Sequence, residues 1–90
     1  MEKVIILFES LDVRVERIYS NGEISAPGFY YNQEEDEFVK IEKGKAIIEV
    51  EGEEILLTKG GEIFLERHTK HRINYTSDDC VWYCIFRKHQ

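Results

Sequence analysis

Residues 37–66 read Glu37-Phe38-Val39-Lys40-Ile41-Glu42-Lys43-Gly44-Lys45-Ala46-Ile47-Ile48-Glu49-Val50-Glu51-Gly52-Glu53-Glu54-Ile55-Leu56-Leu57-Thr58-Lys59-Gly60-Gly61-Glu62-Ile63-Phe64-Leu65-Glu66. Gly44, Gly52 and the pair Gly60-Gly61 cut this stretch into four apolar-rich pieces, 37–43, 46–51, 54–58 and 62–66. Each piece is too short for a helix, and each alternates or is β-branched enough for a strand. A glycine about every eight residues is the rhythm of short antiparallel strands in a sandwich or barrel.

The flanks carry the same signals. Residues 13–19 alternate, and the turn pairs Asn21-Gly22 and Pro27-Gly28 punctuate the segment between that strand and Glu37. Residues 72–76 and 81–87 read as two more strands, separated by the polar turn Ser77-Asp78-Asp79. In the first dozen residues Glu9-Ser10-Leu11 reads as a short turn, and no longer window has a helical period. The expected fold is all-β, a small antiparallel β-barrel or jelly roll. With 90 residues, 42% of them hydrophobic, the chain builds one core and one domain over residues 1–90. So small a domain has apolar sheet surface to share with a second copy, so a homodimer is expected.

Charge narrows the partners. Eighteen acidic residues against twelve basic ones leave a net charge of −6, and the basic residues form no stripe, which argues against nucleic acid. The longest apolar run, residues 4–8, is too short to span a membrane or to serve as a signal-peptide core. Cys80 and Cys84 on one extended strand would stand roughly 13 Å apart, beyond disulfide reach. They suit a reducing compartment, so a cytoplasmic location is expected and the sequon Asn74-Tyr75-Thr76 carries no glycan. A zinc site from His68, His71, Cys80 and Cys84 fails on the same spread.

Alternation also sorts the faces. Tyr31, Gln33, Glu37, Val39 and Ile41 share the inward side of their segment, which puts a carboxyl on an apolar face. An inward carboxylate must be paired, metal-bound or protonated, so Glu37 marks a functional pocket. His71 shares its face with Ile73 and Tyr75, making it a second inward polar group. The acidic run Glu34-Glu35-Asp36 reads as a solvated rim.

Two patterns then resemble the cupin family. Gly28, followed by Tyr31, Gln33, Glu37 and Gly44, has the frame of the first cupin motif, with Tyr31 and Gln33 where two histidines are usual. Gly60, followed by Glu66, His68 and His71, looks like the second motif, with His71 at the histidine position, Glu66 where proline is usual and His68 where glycine is usual. The frame spans residues 27–86. The resemblance implies a cupin barrel that holds a divalent metal ion (iron, manganese, nickel or zinc) or a small polar ligand through Gln33, Glu37 and His71, with Tyr31, His68 and Tyr75 around the pocket. Typical cupins present three histidines and a glutamate. Here an oxygen-rich set replaces them. The family includes oxygenases, isomerases and decarboxylases, so the reaction and even enzymatic activity stay open. The alternatives are a ligand-binding or sensing cupin without metal, and a dimeric structural or interaction module.

Overall fold

A computed structural model describes residues 2–89. Eight strands are present: β1 (Lys3–Glu9), β2 (Val13–Ser20), β3 (Asp36–Lys43), β4 (Lys45–Val50), β5 (Glu53–Thr58), β6 (Glu62–Leu65), β7 (His71–Thr76) and β8 (Cys80–Arg87). Every pairing is antiparallel. A five-stranded sheet runs β1-β2-β8-β3-β6 and a three-stranded sheet runs β5-β4-β7, so the barrel is a two-sheet jelly roll with open edges. The all-β expectation holds.

One core joins the sheets. Val39, Ile41, Leu65, Trp82, Cys84 and Phe86 from the larger sheet meet Ala46, Ile48 and Leu57 from the smaller one. On β8 burial alternates, with Cys80, Trp82, Cys84 and Phe86 inward and the residues between them half-buried. The cysteines are free and buried. Gly44 turns the chain from β3 to β4 at φ +73, where a side chain would be strained and would also run into Ser77 and Asp79.

Three features go beyond or against the sequence reading. The apolar run at residues 4–8, where the sequence pattern predicts no strand, lies within a full strand, β1, paired with β2 through a register shift between Ile6 and Phe8. That bulge and the unbroken apolar run erase the alternation that would have betrayed a strand. The second, a correction, concerns β7. Ile48 faces Ile73 whereas Ile47 faces Tyr75, so Asn74 is an extra residue and the face pattern inverts after it. His71 and Ile73 therefore point inward as expected, but Tyr75 is 40% exposed and Thr76 is buried in its place, its hydroxyl donating to the Glu23 carbonyl. Thirdly, Asp36 is no solvated rim. It is 2% exposed and accepts hydrogen bonds from the Arg67 backbone N–H, the Arg87 guanidinium and His89. Those donors hold its carboxyl far below the usual range, led by the Arg67 N–H.

Candidate functional site

Between the sheets lies a cavity of about 210 Å³. Its apolar wall includes Val39, Ile48, Leu65, Trp82 and Phe86, and its polar lining includes Tyr31, Gln33, Glu37 and His71. Glu37 sits on β3, between Phe86 of β8 and Leu65 of β6, and is 9% exposed. The Gln33 amide donates to its Oε1 at 3.0 Å. Burial raises the Glu37 carboxyl to about 6, against the hydrogen bonds from Gln33 and the Cys84 thiol that lower it, with the charges of Glu16 and Glu35 adding to the rise. The Cys84 thiol is pushed far up by the same burial and by Glu37, so it stays protonated.

His71 opens β7 on the opposite sheet and is 4% exposed. Its Nδ1 lies 2.8 Å from the Thr69 carbonyl, an acceptor only, so Nδ1 carries the hydrogen and Nε2 keeps its lone pair. Burial lowers the imidazole's pKa, partly opposed by the Thr69 bond, and the ring is neutral at pH 7. Nε2 faces Glu37 Oε1 across 3.9 Å and has no hydrogen-bond partner among the described residues. Tyr31 fixes the ring from the side. The two backbones exchange hydrogen bonds of 2.6 and 3.1 Å, and the rings stack with centroids 5.2 Å apart. Burial raises the Tyr31 phenol, so it too stays protonated.

The structure thus brings Tyr31, Gln33, Glu37 and His71 to one cavity, and leaves His68 and Tyr75 out of it. His68 is exposed, at φ +63, with its Nδ1 3.1 Å from Asn32 Oδ1 and its backbone N–H donating to the Gln33 carbonyl. It shapes the loop that carries Gln33 and does not reach the pocket. Tyr75 is turned away by the β7 bulge.

Sequence reasoning missed Glu16, Trp82 and Glu2 as lining groups. In β2 the valines Val13 and Val15 look like the inward residues, yet the register sets Arg14, Glu16 and Ile18 opposite Phe86, Cys84 and Trp82. Arg14 is consumed locally. It pairs with Glu16 at 2.6 Å, with both oxygens of Glu35 at 2.9 and 3.1 Å, and lies 4.3 Å over the Phe86 ring. Trp82 donates its indole N–H to Ser20, whose hydroxyl donates to Glu2.

A divalent metal fits this set poorly. Among the described residues no group of three or more His, Cys, Asp or Glu side chains is placed to hold an ion. Glu37 and His71 are the two strong donors. Gln33 turns its amide N–H toward Glu37, which leaves its carbonyl oxygen facing elsewhere, and Tyr31 offers a protonated phenol edge. Two good donors fall short of the four to six that iron, manganese, nickel or zinc require.

Comparison with known proteins agrees with the fold and motifs. A crystal structure from Ralstonia eutropha JMP134, provisionally named a mannose-6-phosphate isomerase, shares 32% identity over 99% of this chain and 86% of that one, at TM-score 0.95. A cupin superfamily protein from Desulfitobacterium hafniense DCB-2 has TM-score 0.86 at 18% identity, covering 99% of this chain and 79% of its own. KdgF from Halomonas sp. has TM-score 0.85 at 20% identity, covering 99% and 80%. At those two identities the likeness is one of fold. No curated protein matches the chain. The Cupin domain family pattern matches residues 16–86, a span that contains Glu37, Gly44, Gly60 and His71, and the chain belongs to the cupin family.

Proposed function

We propose that this cupin binds a small organic molecule between its sheets, held by Glu37 and His71 without a metal ion. The observation that carries the reading is the 3.9 Å gap between Glu37 Oε1 and the unpartnered His71 Nε2, both inside an apolar-walled cavity. His71 Nε2 is open to the cavity and not sealed away from solvent, so a ligand that offers it a hydrogen can take the place of solvent in the gap while burying its apolar body against the wall. The same pair suits proton exchange, since the carboxyl titrates at about 6 and the imidazole is a neutral base. The name of the Ralstonia relative points to isomerisation of a sugar phosphate, which is proton-transfer chemistry. Here, though, no Lys or Arg among the described residues lines the cavity to meet a phosphate, so we carry over the acid–base pair and not that substrate.

Elemental analysis of the purified protein tests the metal-free half of this reading. We expect no stoichiometric transition metal before or after reconstitution, and a metal that is held by the native protein and lost in His71→Ala sinks it. Assembly as a cytoplasmic homodimer belongs to the same proposal. Its support is the edge strand β1, where Val4, Ile6 and Phe8 stay more than half exposed. Sedimentation at micromolar protein should give twice 10.7 kDa, and a mass near 10.7 kDa refutes the dimer.

A further inference from the structure

Building on the ligand-binding reading, on which the choice of ligand rests, we propose that the cavity selects an organic cation. The ligand is a primary ammonium on a compact apolar body, with the ammonium seated between Glu37 and His71. Three independent features of the pocket lead there.

Hydrogen-bond polarity comes first. Both groups that face the gap are acceptors, because His71 Nδ1 already holds the ring hydrogen against Thr69 and Glu37 presents a carboxylate oxygen. A single donor atom about 2.8 Å from each, a normal hydrogen-bond length, fits between acceptors 3.9 Å apart. It must carry at least two hydrogens to serve both. An ammonium does, whereas an alcohol has one hydrogen, and a carboxylate or phosphate oxygen brings only further lone pairs.

Charge is the second feature. Among the described residues the lining contains Glu2, Glu16 and Glu37 and no lysine or arginine. The nearest cation on the inward face, Arg14, is already shared between Glu16 and Glu35. The field inside therefore favours a cation and repels an anion. The third feature is the wall. Trp82 lines the cavity, and an indole is the aromatic surface to which a cation is most strongly attracted, whereas the Tyr31 ring is already stacked on His71. A cavity of about 210 Å³ limits the body to roughly six to ten heavy atoms, since about 150 Å³ accommodates benzene.

The test uses three probes of matched shape, benzylamine, benzyl alcohol and benzoate, titrated at pH 7.5. Trp82 is the only tryptophan and lines the cavity, so its fluorescence reports occupancy, with calorimetry as a second readout. Benzylamine should bind at least about tenfold more tightly than benzyl alcohol, the factor that about 1.4 kcal/mol for one charge-assisted hydrogen bond supplies. Benzoate should bind more weakly than either. Glu37→Gln should reduce the advantage of the amine over the alcohol to below about threefold while the alcohol still binds. Benzyl alcohol or benzoate equalling benzylamine in the native protein overturns the cation proposal and leaves the ligand-binding reading standing. An amine preference that survives Glu37→Gln also overturns it, because the charge then sits elsewhere. Silence from all three probes overturns both readings together.

Discussion

Replacing Glu37 with glutamine removes the buried ionisation and keeps the shape of the side chain. In the folded protein the Glu37 carboxyl titrates at about 6 instead of the ordinary 4.5, mainly because burial penalises its charged form. At roughly 1.36 kcal/mol per pKa unit, keeping it ionised in the fold costs about 2 kcal/mol. The sign comes from linkage. Between pH 4.5 and 6 the folded protein binds this proton more tightly than the unfolded chain does, so the favourable contribution is complete below 4.5 and lost as pH rises through 6. Glutamine has no such dependence. The stability difference, Glu37→Gln minus native, should therefore rise by about 2 kcal/mol in favour of the variant between pH 4 and pH 7.5. Urea unfolding at half-unit pH steps measures it. His71, buried and neutral, shifts stability the opposite way, losing it as pH falls below 6.5; because it lies 3.9 Å from Glu37 the two titrations are coupled, so the same comparison is repeated in a His71→Gln background, where the Glu37 contribution stands alone. A difference that stays flat within about 0.5 kcal/mol would show that Glu37 is solvated in solution, and the account of the site would fall with it.

Three further outcomes rest on packing, turn geometry and buried charge. Ile41 is fully buried between the sheets, so Ile41→Ala should cost about 2–5 kcal/mol in urea unfolding, with the fold retained. Gly44→Ala combines a positive φ with a Cβ only 2.7 Å from Asp79 Oδ1 and 3.0 Å from Cys80 Cα; a loss of about 1–3 kcal/mol is expected, and a neutral substitution would contradict the turn geometry. Asp36 has a depressed pKa, so its contribution is present above 3.8 and lost as pH falls below that value. Asp36→Asn should be less stable than the native protein at pH 7 and should lose less on acidification from pH 4 to pH 2, measured by circular dichroism.

Much of this was readable in residues 37–66, where glycines mark each reversal and every piece between them became a strand. Glu37 and His71 were legible for the same reason, since each breaks an apolar alternation at a position the structure keeps inward. Bulges and distant pairing partners hid the rest. The bulge at Asn74 inverts the facing of Tyr75 and Thr76, and nothing in Arg72-Ile73-Asn74-Tyr75-Thr76 signals an extra residue. The inward turn of Glu16 is set by its register against Cys84, a contact 68 residues away along the chain that local pattern does not encode. Asp36 looked like part of an acidic rim because its ligands, the Arg67 N–H, Arg87 and His89, lie at least 31 residues downstream.

Glu37 belongs to the five-stranded sheet and His71 to the three-stranded one, so the 3.9 Å between their side-chain tips depends on how the two sheets are spaced. A molecule that bridges them acts as a rivet through both layers and resists their separation wherever along the sandwich it begins. Affinity and global stability are then coupled mechanically. Trimming a core residue such as Ile48 loosens the spacing on which binding depends, and an occupied gap should slow hydrogen exchange in β4 and β8, strands that carry neither Glu37 nor His71.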